Sequence, residues 1–329
     1  MAFDPHRRLL LQIGALSLVF SNRLLAQTFD VPKSPFGVRS TAEEVTAGID
    51  LRGKTVLVTG CNSGIGYETM RVLALRGAQV FGTALTKKKG REACSSVTGN
   101  AEPFVLELSD FDSVVSCADE IIRTGKSIDV LVCNAGVLLP RRERVKGVEK
   151  HFVVNHLGHF LLVNRLMDPL RAAEQGRIVV VSSVAHWSTP PEGIQFDNLS
   201  FRGEYDPILA YGQSKLANGL FAKELARRLK GTNVTANALH PGVVDTNLFR
   251  HSQARVTGGR GRKTVAQGAA TSCYLAAHPS LKGVSGHYFE NCNPAKPSPL
   301  LENKELAAKL WLVSEQLTAD YLTNRVAEK

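Results

Sequence analysis

The segment YGQSK places Tyr211 four residues before Lys215. On an α-helix, positions i and i+4 lie on one face, so the phenol and the ammonium can reach the same small volume. A cation beside a phenol favours the phenolate and lowers the tyrosine pKa. A phenol tuned in this way can exchange a proton with an alcohol or a carbonyl. The simpler interpretation of these five residues alone is a helix start with one tyrosine and one exposed lysine.

Short apolar runs alternate with helical stretches around this pair. Seven runs predict strands: KTVLVTG, AQVFGTA, PFVLEL, IDVLVCNAG, GRIVVVSS, NVTANALHPG and GHYFE. Helices are predicted at 65–76, 110–123, 148–171, 209–229 and 301–322, and Asp110 can cap the second of them. This alternation predicts an α/β fold, a single doubly wound (Rossmann) parallel seven-stranded sheet with helices on both faces. Ligands of such sheets bind outside the carboxyl ends of the strands.

The segment TGCNSGIG follows the first strand and opens a helix. Gly60 permits a tight turn, Gly64 lets the backbone approach a pyrophosphate, and Gly66 lets the helix pack close to the strand. The helix N-terminus then offers N–H donors to phosphates. In this context the motif predicts a dinucleotide site.

Further polar residues follow the fourth, fifth and sixth strands or interrupt a helix. NAG ends strand four, Ser182 and Ser183 end strand five, and HPGVVDT follows strand six. Asn155 stands among apolar residues of the long helix and needs a partner if it is buried. Each of these is also explained by a strand end, a turn or a satisfied helix asparagine. A serine hydrolase is disfavoured, because there is no G-x-S-x-G segment and no evident carboxylate orients His186.

Together these motifs closely resemble the short-chain dehydrogenase/reductase family over residues 51–321. Within it, YGQSKLANGLFAKELARRLKG, ALHPGVV and GVSGHYFENC are similar to the branch of retinol dehydrogenases and WW-domain oxidoreductases. The resemblance implies that Tyr211 is the catalytic acid/base, that Lys215 lowers its pKa and binds the nicotinamide ribose, and that Ser183 positions the substrate oxygen. It also implies that Asn155 holds a water that extends the proton relay.

The same resemblance implies a cofactor-binding set in which Tyr211 and Lys215 also take part. The other members are Thr59, Gly60, Asn62, Ser63, Gly64, Ile65, Gly66, Leu85, Lys87, Glu107, Leu108, Asn134, Ala135, Gly136, Pro241, Gly242, Val244 and Thr246.

The end of strand two departs from both familiar cofactor patterns. An acidic residue there suits NAD and a basic one suits NADP, but this chain has Ala84 and Leu85. Three lysines, beginning with Lys87, follow Thr86 at once. Because cations favour a 2′-phosphate, NADP is predicted over NAD.

Composition argues against two other classes of protein, those that bind nucleic acids and those that bind metals. The 329 residues carry 40 Lys and Arg against 30 Asp and Glu, a net charge of +10 that is concentrated in clusters around 87–91, 141–146 and 250–263. These clusters lack interleaved aromatics and helix-turn-helix or zinc spacing, so solvated loops are favoured over nucleic-acid binding. The six cysteines form no C-x-x-C pair, so no metal site is expected.

The N-terminus has its own pattern. Arg7 and Arg8 precede an apolar run at 9–20 that is short for a bilayer span, which suits a Tat-type signal for periplasmic export. A clean cleavage site is missing, so a membrane-associated segment or a cytoplasmic amphipathic helix remains an alternative. The predicted organisation is signal or anchor at 1–26, linker at 27–50, one domain at 51–322 and a tail at 323–329.

The predicted function is an NAD(P)-dependent oxidoreductase that acts on an alcohol or carbonyl. The alternative is a cofactor-sensing or scaffold protein with the same fold. The insert between Ser183 and Tyr211 contains Trp187, Ile194 and Phe196, which suggests a lipophilic small-molecule substrate such as a retinoid, steroid, terpenoid or aromatic carbonyl. These residues can equally fill the domain's own core. A homodimer is left open.

Overall fold

The structure, a computed structural model, describes residues 31, 33–246, 248 and 262–322. The predicted Tat-type segment, most of the third basic cluster and the C-terminal tail lie outside these residues. No helix in the described part of the chain has the length and apolar character needed to cross a bilayer.

Eight strands form the main sheet, and seven of them are parallel as predicted. The strands are β1 Thr55–Val58, β2 Gln79–Ala84, β3 Asn100–Val105, β4 Val130–Cys133, β7 Gly176–Val181, β8 Val234–His240, β9 Tyr288–Glu290 and β10 Asn293–Pro294. Their order across the sheet is β10-β9-β8-β7-β4-β1-β2-β3. The additional strand is β10, which pairs antiparallel with β9. A separate hairpin joins β5 Arg144–Val145 to β6 Val148–Glu149.

Helices cover both faces of the sheet, as the apolar runs of its strands require. They are α1 Ala42–Val45, α2 Gly64–Leu75, α3 Lys87–Ser95, α4 Phe111–Arg123, α5 Lys150–Phe152, α6 Gly158–Arg165, α7 Met167–Ala172, α8 Pro207–Arg228, α9 Val265–Ala277 and α10 Lys304–Leu322. One core lies between the sheet and α4, α6, α8 and α10, and the other contains α1, α2, α3 and α9.

The topological switch lies at β1, which pairs with β2 on one side and with β4 on the other. The chain runs outward from β1 to β3 and then returns to β4, so the crevice between the carboxyl ends of β1 and β4 is the expected ligand site of this fold. The glycine-rich turn follows β1, and NAG follows β4. The two motifs therefore meet at this switch.

The prediction of one uninterrupted helix over 148–171 is wrong. Residues Val148–Glu149 form β6, a π-helical turn spans Val153–Leu157, and α6 ends before Leu166. Asn155 lies inside the π turn and its side chain bonds neighbouring segments. Such turns are rare and occur frequently at functional sites.

Candidate active site

Tyr211 and Lys215 lie in the second and third turns of α8. Asp206 caps this helix by accepting hydrogen bonds from the N–H groups of Ile208 and Leu209. Both site side chains are buried, and the Lys215 Nζ lies 5.6 Å from the centroid of the Tyr211 ring. The predicted i,i+4 juxtaposition therefore exists, on a helix whose start is fixed by its cap.

Burial, rather than the lysine, dominates the charge state of Tyr211. It raises the pKa of Tyr211 to about 12, and a hydrogen bond with Ser183 opposes this rise. Burial also lowers the pKa of Lys215 to about 8. The Lys215 ammonium donates to the Val181 carbonyl oxygen over 3.1 Å. The spacing predicts a lowered tyrosine pKa, but burial outweighs the lysine and the pKa is raised.

Ser183 follows β7 and caps a short 3₁₀ helix, Val184–Trp187. Its Oγ accepts from the Ala185 N–H at 3.2 Å, and it lies near enough to Tyr211 to oppose the rise of that residue's pKa. The neighbouring Ser182 points away, because its Oγ donates to the Lys215 carbonyl at 2.6 Å. The structure therefore brings Ser183, and not Ser182, to the phenol of Tyr211.

His186, which lacks an orienting carboxylate in the sequence, is oriented by backbone groups. Its Nε2 accepts a hydrogen bond from the Ser298 N–H over 3.0 Å, which leaves the ring proton on Nδ1. Nδ1 donates to the Ser183 carbonyl at 2.6 Å. Burial lowers the pKa of His186 to about 4, so the ring is neutral at physiological pH. This contact is invisible in the sequence because Ser298 is 112 residues away.

Asn155 has no solvent exposure and fixes the loop after β4. Its Oδ1 accepts from the Val137 N–H at 2.8 Å, and its Nδ2 donates to the Val137 carbonyl at 3.1 Å. Nδ2 also donates to the Ser214 Oγ at 2.9 Å, on α8. Asn155 therefore ties the NAG loop to the helix that carries Tyr211 and Lys215.

A second buried network beside Tyr211 was missed in the sequence. The Leu139 N–H donates to Nε2 of His151 at 2.8 Å, so Nδ1 carries the proton and donates to Glu149 at 2.7 Å. The Tyr205 hydroxyl donates to the same carboxylate at 3.0 Å. The His151 ring lies 6.0 Å from that of Tyr211. This network fixes the loop after β4 at a second point, two residues beyond Val137.

The glycine-rich turn requires its glycines. Gly60 and Gly64 have positive φ angles of 74° and 59°. A β-carbon on Gly66 would stand 2.2 Å from the Gly60 carbonyl oxygen, so only glycine allows α2 to start this close to β1. The Ser63 side chain makes no capping bond, so the first N–H groups of α2 are not taken by a side-chain cap and can serve a phosphate. Asn62 and Ile65 lie on the same turn.

Thr59 and Asn134 link the two motifs at the switch point. The Thr59 Oγ1 accepts from the N–H groups of Asn134 and Ala135, each at 2.9 Å, and contacts Nε2 of His159 at 2.9 Å. The Asn134 Nδ2 donates to the Thr59 carbonyl at 2.8 Å. A β-carbon on Gly136 would stand 3.5 Å from the Lys215 Nζ. The predicted cofactor residues after β1 and β4 are therefore contiguous with the lysine.

The loop after β8 closes the same crevice. A β-carbon on Gly64 would stand 3.3 Å from Cγ2 of Thr246, so this loop reaches the glycine-rich turn. Pro241 and Val244 are buried, and Gly242 has a φ of 96°. These predicted residues thus join the others at the carboxyl edge of the sheet.

The predicted cofactor residues that follow β2 are more exposed than those that follow β1, β4 and β8. Leu85 is 49% exposed, and Lys87 is exposed at the first position of α3. Leu108 is buried, while the Glu107 carboxylate accepts bonds from the N–H and Oγ of Ser109. Lys89 lines a cavity of about 300 Å³ together with Asn62, from the glycine-rich turn. Of the three lysines, Lys89 is the one beside that turn, and the sequence did not single it out.

These residues fit a dinucleotide cofactor. Gly66 lets α2 start directly against β1, Gly136 keeps the chain close to Asn155 and Lys215, and no side-chain cap occupies the first N–H groups of α2. No carboxylate stands at the end of β2. The described residues contain no group of three or more side chains suited to a metal ion.

The insert at 187–206 contributes less to the crevice than its composition suggests. Ile194 is 2% exposed and belongs to the core, and Phe196 packs against that core. Trp187 is 37% exposed beside His186. The interpretation that apolar insert residues fill the domain is therefore correct for Ile194 and Phe196.

The second basic cluster serves a structural purpose in part. Arg142 donates to the carbonyl oxygens of Phe201 and Gly203, and Arg144 donates to that of Ser200. These two side chains hold the end of the insert rather than forming a free cationic surface.

Comparison with known proteins identifies the family. A family model for short chain dehydrogenases matches residues 54–195. The chain is 41% identical over 303 residues to short-chain dehydrogenase TIC 32 B, chloroplastic, of Brassica napus, which covers 87% of this chain and 95% of the relative. It belongs to the short-chain dehydrogenase/reductase family.

Two further similarities place this short-chain dehydrogenase within the family. It is 42% identical to human retinol dehydrogenase 12 over 279 residues, 82% of this chain and 87% of the relative. A WW domain-containing oxidoreductase is also among its relatives, so the predicted branch is confirmed. A crystal structure of a putative uncharacterized protein from Mycobacterium paratuberculosis matches with a TM-score of 0.69 and 34% identity, over 85% of this chain and 98% of that one. The dehydrogenase is thus an oxidoreductase acting on CH–OH donors.

Proposed function

We propose that this dehydrogenase transfers a hydride between the nicotinamide of NADP(H) and an alcohol or carbonyl carbon of a lipophilic small molecule. The observation that carries the proposal is the burial of Tyr211 and Lys215 side by side at the carboxyl edge of the sheet, 5.6 Å from ammonium to ring centroid, with Ser183 beside the phenol. The cofactor, when bound, accepts or supplies the hydride. The protein supplies position and the proton.

The proton chemistry of this chain centres on Tyr211. In carbonyl reduction its neutral phenol donates a proton to the substrate oxygen, while Ser183 positions that oxygen. In alcohol oxidation the phenolate takes the proton. Burial raises the pKa of Tyr211 to about 12, so the phenol is neutral at pH 7 and can donate its proton.

Charge beyond β2 supports the NADP assignment. Lys89 reaches the cavity that contains Asn62, and Lys87 starts α3 next to Leu85. An exposed lysine–phosphate contact contributes on the order of 1 kcal/mol or less, so two such contacts favour NADP roughly tenfold or somewhat more. The names of the relatives that are retinol dehydrogenases support a lipophilic substrate, as does the exposure of Trp187 near Ser183.

A substrate panel tests this function. Purified protein is assayed with retinoid, steroid, terpenoid and aromatic carbonyls and alcohols, with each cofactor and in both directions. We expect turnover of at least one lipophilic class, faster with NADP(H). Tight cofactor binding with no turnover across the panel would instead support the cofactor-sensing or scaffold alternative, and failure to bind either cofactor would remove both.

A further inference from the structure

Lys263 lies between the loop after β8 and the start of α9. Its N–H donates to the Val243 carbonyl at 2.9 Å, and its backbone forms a bridge with Val244. The side chain turns back to Gly242, where a β-carbon would stand 2.7 Å from Cδ and 3.3 Å from Nζ. Lys263 is 5% exposed. The aliphatic part of the Lys263 side chain is therefore packed against Gly242, one of the predicted cofactor-binding residues.

The Lys263 ammonium lacks a hydrogen-bond or ion-pair partner among the residues that the structure describes. Burial lowers its pKa, and the charges of Cys292 and Glu290 oppose that effect only in part. Burial also raises the pKa of Glu290, and the two groups form no ion pair. A buried ammonium without a partner is costly, so its retention at a ligand site favours a ligand acceptor.

The direction of the side chain indicates which part of the ligand it meets. Thr246, at the far end of the loop, lies against Gly64 of the phosphate-binding turn. Gly242, at the near end, lies two residues after His240, whose pKa is lowered to about 3 first by burial and then by Lys263, His186 and Lys215. Lys263 is therefore at the end of the loop nearer the catalytic lysine, and away from the phosphates.

We propose that Lys263 donates a hydrogen bond to the carboxamide oxygen at the nicotinamide end of the bound cofactor. This inference rests on the proposed function, since it needs a nicotinamide dinucleotide in the crevice. It adds a residue to the cofactor site that the sequence motifs do not contain. The ammonium orients the ring that exchanges the hydride.

Direct binding tests the proposal without relying on turnover. Dissociation constants of NADP⁺ and of 2′-phospho-ADP-ribose, which lacks the nicotinamide, are measured by calorimetry for the wild type, Lys263→Met and Lys263→Arg. We expect Lys263→Met to weaken NADP⁺ binding about tenfold or more and to leave 2′-phospho-ADP-ribose unchanged. Lys263→Arg should restore part of the loss. Lys282→Met, at an exposed lysine before β9, is the matched control.

Three results would overturn it. They are unchanged NADP⁺ binding in Lys263→Met, equal weakening of both ligands, and a raised KM for the substrate with cofactor binding intact. Thermal melting of each variant shows that the fold is retained. If wild-type protein binds NADP⁺ but Lys263→Met behaves identically, only this inference fails, whereas a wild type that binds no dinucleotide refutes the proposed function itself.

Discussion

His186 donates from Nδ1 to the carbonyl oxygen of Ser183 over 2.6 Å, while its Nε2 accepts from the Ser298 N–H over 3.0 Å. One neutral imidazole thus connects the serine of the site to a segment near the C-terminus. The ring also packs edge-on against Tyr288 of β9, with centroids 5.1 Å apart. The position of Ser183 consequently depends on the far edge of the sheet.

Replacing His186 should misplace Ser183 without affecting the cofactor. We expect His186→Ala to reduce kcat about 10- to 100-fold, because small displacements at a reacting centre have effects of that size. The dissociation constant of NADP⁺ should stay within about twofold. His186→Asn, whose amide can reproduce the Nδ1 donor, should recover part of the rate. Equal losses in both variants, or none in His186→Ala, would contradict a positioning role.

Tyr211→Phe removes only the hydroxyl that exchanges the proton. We expect turnover to fall about 10²- to 10⁴-fold, the usual contribution of a positioned acid or base. Cofactor binding, followed by calorimetry, should persist. Tyr321→Phe is a suitable control, since that hydroxyl bonds Lys146 on the protein surface. Near-wild-type rates in Tyr211→Phe would remove the residue from the mechanism.

Lys215 destabilises the fold in the absence of ligands, because its ammonium is buried. Its pKa falls from 10.5 to about 8, which corresponds to about 3 kcal/mol of unfolding free energy. This cost is fully present below pH 8 and disappears as the pH rises towards 10.5. Lys215→Met removes this cost, but it also loses the hydrogen bond to Val181, which offsets about 1 kcal/mol of the gain in stability.

Lys215→Met should therefore be inactive and yet more stable than the wild type by about 1–3 kcal/mol at pH 7. Denaturant unfolding at pH 7 and pH 10 measures the free energy of unfolding of the variant and of the wild type. The difference between them should shrink at the higher pH. An exposed lysine, Lys126, provides the matched control Lys126→Met, which should show no such pH dependence. A destabilised Lys215→Met at pH 7 would show that burial of the ammonium is compensated.

Asn155→Ala should weaken both the fold and the site. The substitution leaves the half-buried N–H and carbonyl of Val137 without their partner, and an unsatisfied buried group costs about 1–3 kcal/mol. We expect a loss of about 2–4 kcal/mol in unfolding free energy, measured with denaturant, together with reduced turnover. Among the described residues, the half-buried side chain of Asn164 bonds only the carbonyl of Phe160 on its own helix, so Asn164→Ala should have a smaller effect. Comparable losses in the two variants would argue against a special role for the π turn.

Lys89→Ala should reduce the preference for NADP(H). We expect kcat/KM with NADPH to fall about three- to tenfold at low salt, with little change for NADH, because salt screens an exposed lysine–phosphate contact. Lys87→Ala tests the lysine that the sequence favours, and the geometry predicts a smaller effect. A preference for NADH in the wild type, or an NADPH preference insensitive to salt and to both substitutions, would refute the charge argument.

The strand segments and the site residues near turns were predictable because they depend on local signals. Gly60, Gly64 and Gly66 occupy positions that only glycine tolerates, and the apolar runs identify buried parallel strands. The spacing of Tyr211 and Lys215 gives their shared helix face directly. The antiparallel β10 was missed because two residues containing a proline carry no strand signal.

Contacts between distant segments could not be predicted. The π turn at Val153–Leu157 contains Asn155, whose side chain bonds Ser214 on another helix. The periodicity of apolar residues carries no information about such a contact. The charge state of Tyr211 depends on its burial, which outweighs the nearby cation. Sequence spacing gives a distance between two groups but not the dielectric around them.

The arm that precedes β1 determines where the start of the chain meets the domain. Ser34 donates from its N–H to the Asn293 side chain and from its Oγ to the Cys292 carbonyl, just beyond the carboxyl end of β9. Phe36 packs edge-on against Tyr274 of α9. Since β7, β8 and β9 run parallel, their carboxyl ends share one edge of the sheet, so Ser34 anchors the start of the described chain at the same edge as Ser183 and couples the two through the sheet rather than through sequence.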